Sequence, residues 1–114
     1  MERRNTSIIL PSSIVAYFAA DASDIPEAVP RCLTDNATVK DEGHTHVGRL
    51  AIVEWKADAT SKYSYTSEPL SIGAEDDRIV VSCRLNVDFL GSPLDLCFIF
   101  RLQGDEITEL EIIP

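Results

Sequence analysis

Two stretches in the second half of the chain have an apolar residue at every second position, with mostly polar residues between. In 79–89 every odd position is apolar, and in 94–102 every even position is apolar. Because side chains alternate between the two faces of a strand, each stretch predicts a strand with one buried face. Residues 90–93 predict the turn between them. The expected register pairs Phe89 with Leu94, Val87 with Leu96, and Leu85 with Phe98.

The N-terminal third has the spacing of helices instead. Residues 11–21 place Ile14, Tyr17, Phe18 and Asp21 on one helical face, with Pro11 in the first turn. A second, short helix is predicted over 24–33, capped by Asp24 and kinked or shortened by Pro30. A third is predicted over 49–62, and its inner stripe is Ile52, Trp55, Ala59 and Tyr63.

A short strand is predicted over 37–41, followed by a loop over 42–48. Val39 and Asp41 share one face of this strand, so Asp41 faces the interior if Val39 does. A carboxylate aimed at an apolar interior is costly unless it is paired or used. Asp41 therefore indicates a pocket and a candidate general base. The alternative is a strand-end carboxylate bonded to the amides of Gly43 or His44.

Two further strands complete the pattern. One lies within 63–74, where Pro69 indicates an edge strand or a bulge, and the last one ends at 110–112 after a turn at 103–106. Helices followed by long antiparallel strands predict an α+β fold, with helices packed on one face of a curved sheet. The other sheet face is polar, with Arg84, Asp95 and Arg101 among its residues. We expect either a solvated face or, preferably, a homodimer interface there, which the mass in solution would decide.

Composition limits the classes of partner. The chain has 114 residues, which predicts a single domain over 1–114, and 10 basic against 19 acidic residues give a net charge of −9. Nucleic acids and anionic membranes bind through Lys/Arg clusters, so we expect neither as a partner. Cys32, Cys83 and Cys97 lack a paired spacing and predict buried thiols in a reducing, cytoplasmic compartment.

The N-terminal segment has a faint likeness to a signal peptide. Residues 2–4 are charged and 8–16 are largely apolar, but Pro11, Ser12 and Ser13 interrupt the apolar run. We therefore expect no cleaved signal, and residues 1–10 are treated as a candidate flexible segment. No stretch approaches the length of a membrane span.

The loop sequence His44-Thr45-His46 invites a metal interpretation, because two histidines at i and i+2 face the same way on a strand. No third, distant ligand stands out, so we expect no metal. No glycine-rich phosphate loop is present either, so we expect no nucleotide cofactor. His44 is a candidate helper of Asp41 in proton transfer, and the alternative is that both histidines lie at a pocket rim.

Together these pieces resemble the nuclear transport factor 2-like superfamily, in its SnoaL-like and ketosteroid-isomerase-like branch. The matching segments are 17–20 (YFAA), 35–41 (DNATVKD), 48–55 (GRLAIVEW) and 91–96 (GSPLDL). The resemblance implies a cone-shaped pocket between three helices and the concave face of the sheet. It also implies a small-molecule ligand.

The resemblance extends to particular residues. In the isomerase, an Asp at the end of the first strand is the base and a Tyr of the first helix donates to the oxyanion. Asp41 and Tyr17 match these positions. The third member, an acid on the penultimate strand, is replaced here by Phe98, while Asp95 faces outward. Steroid isomerisation is therefore disfavoured.

Two functions from different classes remain open. One is an enzyme (an isomerase, cyclase or hydrolase) acting on a small apolar carbonyl-type ligand, with Asp41, Tyr17 and His44 as catalytic residues. The other is a non-catalytic ligand-binding or dimeric interaction module of the same fold. In either case we expect ligand contacts from Trp55, Phe18, His46, Phe98 and Phe89, although the phenylalanines are also typical core residues.

Overall fold

A computed structural model describes residues 10–23, 25–62, 65–87 and 93–114. The predicted cap Asp24, the stripe residue Tyr63 and most of the turn at 90–93 lie outside these ranges. The elements, in chain order, are α1 (Ser12–Ala22), two 3₁₀ turns (Pro26–Ala28 and Pro30–Cys32), β1 (Leu33–Asp41), β2 (His44–Val47), α2 (Arg49–Lys62), β3 (Tyr65–Glu75), β4 (Arg78–Val87), β5 (Leu94–Gln103) and β6 (Glu106–Ile113).

The six strands form one sheet in the order β2-β1-β6-β5-β4-β3. Strands β1 and β6 are parallel, and every other neighbouring pair is antiparallel. The α+β class is therefore confirmed, with a mixed, curved sheet and the helices on its concave face. None of the helices in the described ranges is long and apolar enough to cross a membrane.

The helices follow the sequence pattern with one change. Helix α2 has the predicted bounds, and α1 is displaced from its prediction by one residue. The second predicted helix is present only as the two 3₁₀ turns. Pro30 explains this difference, because a proline inside a helix removes a backbone N–H and clashes with the preceding turn.

The loop predicted over 42–48 contains a strand, which corrects the sequence prediction. His44–Val47 pairs with β1, and Asp41 lies opposite His44. Glu42 and Gly43 make the turn, with φ of 53° and 78°, as tight two-residue hairpin turns require. The strand is four residues long and mostly exposed, so it lacks the apolar alternation that would have revealed it.

The predicted register between β4 and β5 is wrong by four residues. Leu85 pairs with Leu94 and Val81 pairs with Phe98, whereas the sequence pattern predicts Leu85 opposite Phe98. An even shift leaves every side chain on its predicted face, so alternation cannot distinguish the two registers. The edge position and the irregularity predicted around Pro69 are confirmed, since β3 is the last strand and its pairing shifts between Pro69 and Ser71.

The core lies between the helices and the concave sheet face. It combines Ile14 and Tyr17 of α1 and Ile52 of α2 with fully buried residues of the central strands. The strand contribution includes Val39, Val81, Cys83, Phe98, Phe100, Ile107 and Leu110. Cys83 is buried as predicted, and its thiol is not part of a disulfide bond.

Candidate functional site

A cavity of about 560 Å³ opens between α1, α2 and the concave face of the sheet. Its size is that of a typical small-molecule site. The inner positions of the alternating strands give it an apolar wall, formed by Leu85, Val87, Leu94, Leu96, Phe98 and Ile112. Polar groups enter from α1, from α2 and from the β1–β2 hairpin.

Asp41 lies at the end of β1 and lines this cavity, as predicted from its position on the same strand face as Val39. Its Oδ2 accepts a hydrogen bond of 3.0 Å from Nε1 of Trp55, which lines the cavity from α2. The backbone amides of Gly43 and His44, which the alternative interpretation expects as donors, do not bond its carboxylate. The indole N–H thus orients one oxygen of a half-buried carboxylate, and no other described residue bonds the side chain.

Tyr17 reaches the same cavity from α1 and is only 1% exposed. Its ring packs edge-on against Phe100 at 5.5 Å between centroids. Its hydroxyl makes no hydrogen bond with any residue in the described ranges. Burial raises the pKa of Tyr17 well above its usual value, and the nearby Asp21, Tyr65 and Asp41 raise it further. The side chain is therefore a neutral hydrogen-bond donor with no acceptor among the described residues.

His44 and His46 both line the cavity from β2. His44 is exposed, whereas His46 is half-buried and its ring lies 6.1 Å from that of Trp55. This places both histidines at the rim, beside Asp41. Within the described ranges, no three His, Cys, Asp or Glu side chains are grouped as metal ligands would be.

The predicted ligand contacts divide into three groups. Trp55, His46 and Phe98 line the cavity. Phe18 does not, because it packs into the core, with its ring 5.5 Å from Phe98. Phe89 lies outside the described residues. Phe98 occupies the position where the resemblance expected an acid, and Asp95 is on the outer face, bonded to Arg84 at 2.9 Å.

The largest feature that the sequence analysis missed is a buried ionic network beside the cavity. Lys56 is 1% exposed, and its Nζ donates to Oδ1 of Asp21 at 2.7 Å and to the hydroxyl of Tyr65 at 2.8 Å. The Tyr65 hydroxyl in turn donates to Oδ1 of Asp21 at 3.0 Å. Ser67 donates to Oδ2 of Asp21 at 3.4 Å. Asp21 and Tyr65 line the cavity, so the network forms one of its walls.

A signal for this network exists in the sequence. Asp21 lies on the apolar face of α1, four residues after Tyr17, and Lys56 follows Ile52 by four residues on α2. Both charges are therefore placed toward the core by helical spacing. Opposite charges on two buried helix faces predict a pair, because a buried charge is too costly to leave alone.

The buried thiol of Cys83 and the buried phenol of Tyr17 predict a loss of stability at alkaline pH. Burial, with smaller contributions from Asp21 and Cys97, raises the pKa of Cys83 from 9.0 to about 12. Above pH 9 the unfolded chain releases this proton while the folded chain keeps it, so the free energy of unfolding falls as pH rises. The expected slope is at most about 1.4 kcal/mol per pH unit for each such group. Tyr17 adds to the loss above pH 10.

Urea unfolding between pH 8 and pH 11 measures this slope. Cys83→Ala is the matched variant, because it removes the thiol but leaves Tyr17 in place. We expect a flatter pH dependence between pH 9 and pH 10 in the variant, whatever its absolute stability. A slope identical to that of the wild-type protein would show that Cys83 is not the source.

Comparison with known proteins places this geometry in a family. The family model described as the SnoaL-like domain matches residues 14–110. A solved structure of a proposed polyketide cyclase from Sinorhizobium meliloti is 34% identical, covers 90% of this chain and 94% of its own, and superposes with a TM-score of 0.84. No curated protein matches the sequence.

Two more distant structures share the fold. A protein with a ketosteroid isomerase-like fold from Catenulispora acidiphila, in complex with trimethylamine, is 21% identical over 93% of this chain and 87% of its own, with a TM-score of 0.82. TerC, co-crystallised with polyporic acid, is 19% identical over 90% and 88%, with a TM-score of 0.78. The resemblance stated from the sequence is thereby confirmed. This chain belongs to the family of SnoaL-like domains.

Proposed function

We propose that the protein is an enzyme that moves a proton on a small, largely apolar carbonyl compound held in the cavity. The observation that carries this proposal is that Asp41 and Tyr17 line one cavity with an apolar wall. Asp41 is oriented by Trp55, and the hydroxyl of the buried Tyr17 has no partner among the described residues. A base and an oxyanion donor facing one cavity are the minimum needed for enolisation.

The step follows from this arrangement. The Asp41 carboxylate accepts a proton from the carbon next to the carbonyl group, and the C–H electron pair becomes the carbon–carbon double bond of an enolate. The carbonyl oxygen takes the negative charge and receives the hydrogen bond of Tyr17. Because the pKa of Tyr17 is raised, the hydroxyl keeps its proton and acts as a donor. His44, which lines the rim, would exchange the proton held by Asp41 with one from solvent, and Asp41 would return that proton to the enolate carbon.

The names of related structures agree with this class of ligand. The Sinorhizobium meliloti protein is a proposed polyketide cyclase, and cyclisation of such chains acts next to carbonyl groups. The two distant structures contain small organic molecules. These names support small-molecule chemistry for this chain, and the choice of isomerase, cyclase or hydrolase belongs to the proposal.

Exchange of α-hydrogens for deuterium tests the proposal without knowledge of the natural substrate. The probes are 2-tetralone and 4′-tert-butylacetophenone in D₂O, followed by proton NMR. We expect the wild-type protein to accelerate exchange, and Tyr17→Phe to slow it by about 10²-fold, the usual effect of one oxyanion donor. Since the hydroxyl has no described partner, Tyr17→Phe should leave the urea midpoint nearly unchanged. Equal exchange rates in the two proteins would refute the role of Tyr17.

A second candidate is a binding module without catalysis. The observation that favours it is Phe98, which is 3% exposed and lines the cavity where the isomerase resemblance expected an acid. In that case the probes bind, but α-hydrogen exchange stays at the rate measured in buffer without protein.

A homodimer through the polar outer face of the sheet is also a proposal, and the mass in solution measured by light scattering tests it.

A further inference from the structure

The polar part of the cavity wall carries charge of one sign. Its acidic residues are Asp21, Asp41, Glu42, Glu54 and Asp58, and no lysine or arginine of the described ranges lines it. The nearest buried cation, Lys56, is already paired with Asp21. The carboxylates of Asp41, Glu42 and Glu54 therefore give the cavity a negative potential, which a cleft with low-dielectric walls concentrates.

The aromatic group beside Asp41 adds a second attraction for a cation. Trp55 donates its N–H to the Asp41 carboxylate, and its indole lines the cavity. A carboxylate acceptor on the N–H increases the electron density of the ring. A cation over the indole face is attracted by the ring quadrupole as well as by the carboxylate.

Tyr17 provides an independent indication that a ligand fills the cavity and shows which group enters first. Tyr17 is only 1% exposed and lines the cavity, and its hydroxyl donates to no described residue. A buried donor without an acceptor is costly, so a ligand with an acceptor oxygen would satisfy it. Glu42 and Glu54 are exposed, so they lie at the mouth. The cavity thus has a deep end that suits an acceptor and a mouth that suits a positive charge.

We propose that the ligand is a small organic cation, an amine or quaternary ammonium with an apolar body and a carbonyl oxygen at its other end. The oxygen binds Tyr17 with Asp41 beside the carbonyl end, the apolar body lies against the leucine-rich wall, and the nitrogen lies near Trp55 and the glutamates of the mouth. The inference rests on the proposed function in that the same cavity holds the reactant. It adds the charge of that reactant, and it excludes carboxylate and phosphate ligands.

An isosteric pair of probes tests the inference. The uncharged 4′-tert-butylacetophenone and its 4′-trimethylammonio analogue have the same shape and the same carbonyl group, and differ by one positive charge. Isothermal titration calorimetry at low salt should give binding about tenfold tighter for the cation. The preference should shrink as salt is added, because the glutamates of the mouth are exposed to solvent.

Charge-removing variants locate the source of the preference. In Glu42→Gln/Glu54→Gln, affinity for the cation should fall about two- to fivefold for each charge removed, while affinity for the neutral ketone stays constant. Glu106→Gln is the control, because it removes one exposed charge at the other end of β6, roughly 20 Å along the strand from Ile112 of the cavity wall. It should change neither affinity.

The outcomes separate the inference from the proposed function. If the neutral ketone binds as tightly as the cation and undergoes exchange, the inference is wrong and the proposed function stands. An effect of Glu106→Gln equal to that of the mouth variants also refutes the inference, because the preference would then come from the net charge alone. If neither probe binds, both the inference and the proposed function fail.

Discussion

Replacing Asp41 with asparagine is expected to lower the rate of α-hydrogen exchange by about 10²- to 10⁴-fold, the usual contribution of a positioned base. The amide keeps the size of the carboxylate, and its oxygen can still accept the N–H of Trp55, so the cavity keeps its shape. The amide cannot accept the α-proton. We therefore expect the neutral ketone to bind with unchanged affinity while exchange is lost, as NMR and calorimetry on the same samples would show.

Asp95→Asn is the matched control for this variant. It makes the same chemical change on the outer face of the sheet, where Asp95 is exposed and paired with Arg84. Exposed pairs of this kind contribute little to stability, and the cavity is on the opposite face. Exchange by Asp95→Asn should equal that of the wild-type protein. If Asp41→Asn matched it, Asp41 would have no role as a base.

Replacing Lys56 with methionine should produce the largest loss of stability, about 3–5 kcal/mol. Methionine fills most of the volume of lysine, so the loss arises from electrostatics rather than from a void. The variant leaves the carboxylate of Asp21, only 6% exposed, without its cation. For a domain of this size we expect the midpoint of thermal unfolding to fall by roughly 15–25 °C.

A double-mutant cycle separates the pair from other effects of the substitution. In the background of Asp21→Asn, Lys56→Met should cost much less, because no buried charge is left unpaired. Lys40→Met is the matched surface control, since Lys40 pairs with Glu109 at 3.4 Å on a side chain that is 44% exposed. Lys40→Met should lower the free energy of unfolding by less than about 1 kcal/mol. Additive effects of the two core substitutions would contradict a coupled pair.

The sequence predicts the parts of the site that depend on the alternation of side chains along a strand and on the spacing of residues along a helix. Alternation along β1 places Asp41 beside Val39 on the inner face, and helical spacing places Tyr17 and Trp55 on the inner faces of α1 and α2. These rules are local, so neighbouring residues alone decide them. The bond between Trp55 and Asp41 was not predicted, because it depends on how a helix lies across a strand.

The errors come from features that local patterns do not determine. The register of β4 and β5 differs by four residues from the prediction, although every residue lies on its predicted face. The strand β2 is exposed and owes its order to pairing with β1. Helical spacing places Lys56 on the inner face of α2, but lysine is rarely buried, and local spacing does not show that Asp21 of another helix lies within reach of it.

The parallel pairing of β1 with β6 has a consequence for how the site is assembled. Val39 pairs with Leu110, so the strand that carries Asp41 gains its central partner only from residues roughly 70 positions later in the chain. Closing so long a loop costs entropy before any contact is gained. Asp41 therefore reaches its place in the sheet only when β6 has been synthesised, and a fragment that ends before β6 lacks the central partner of the strand that carries Asp41.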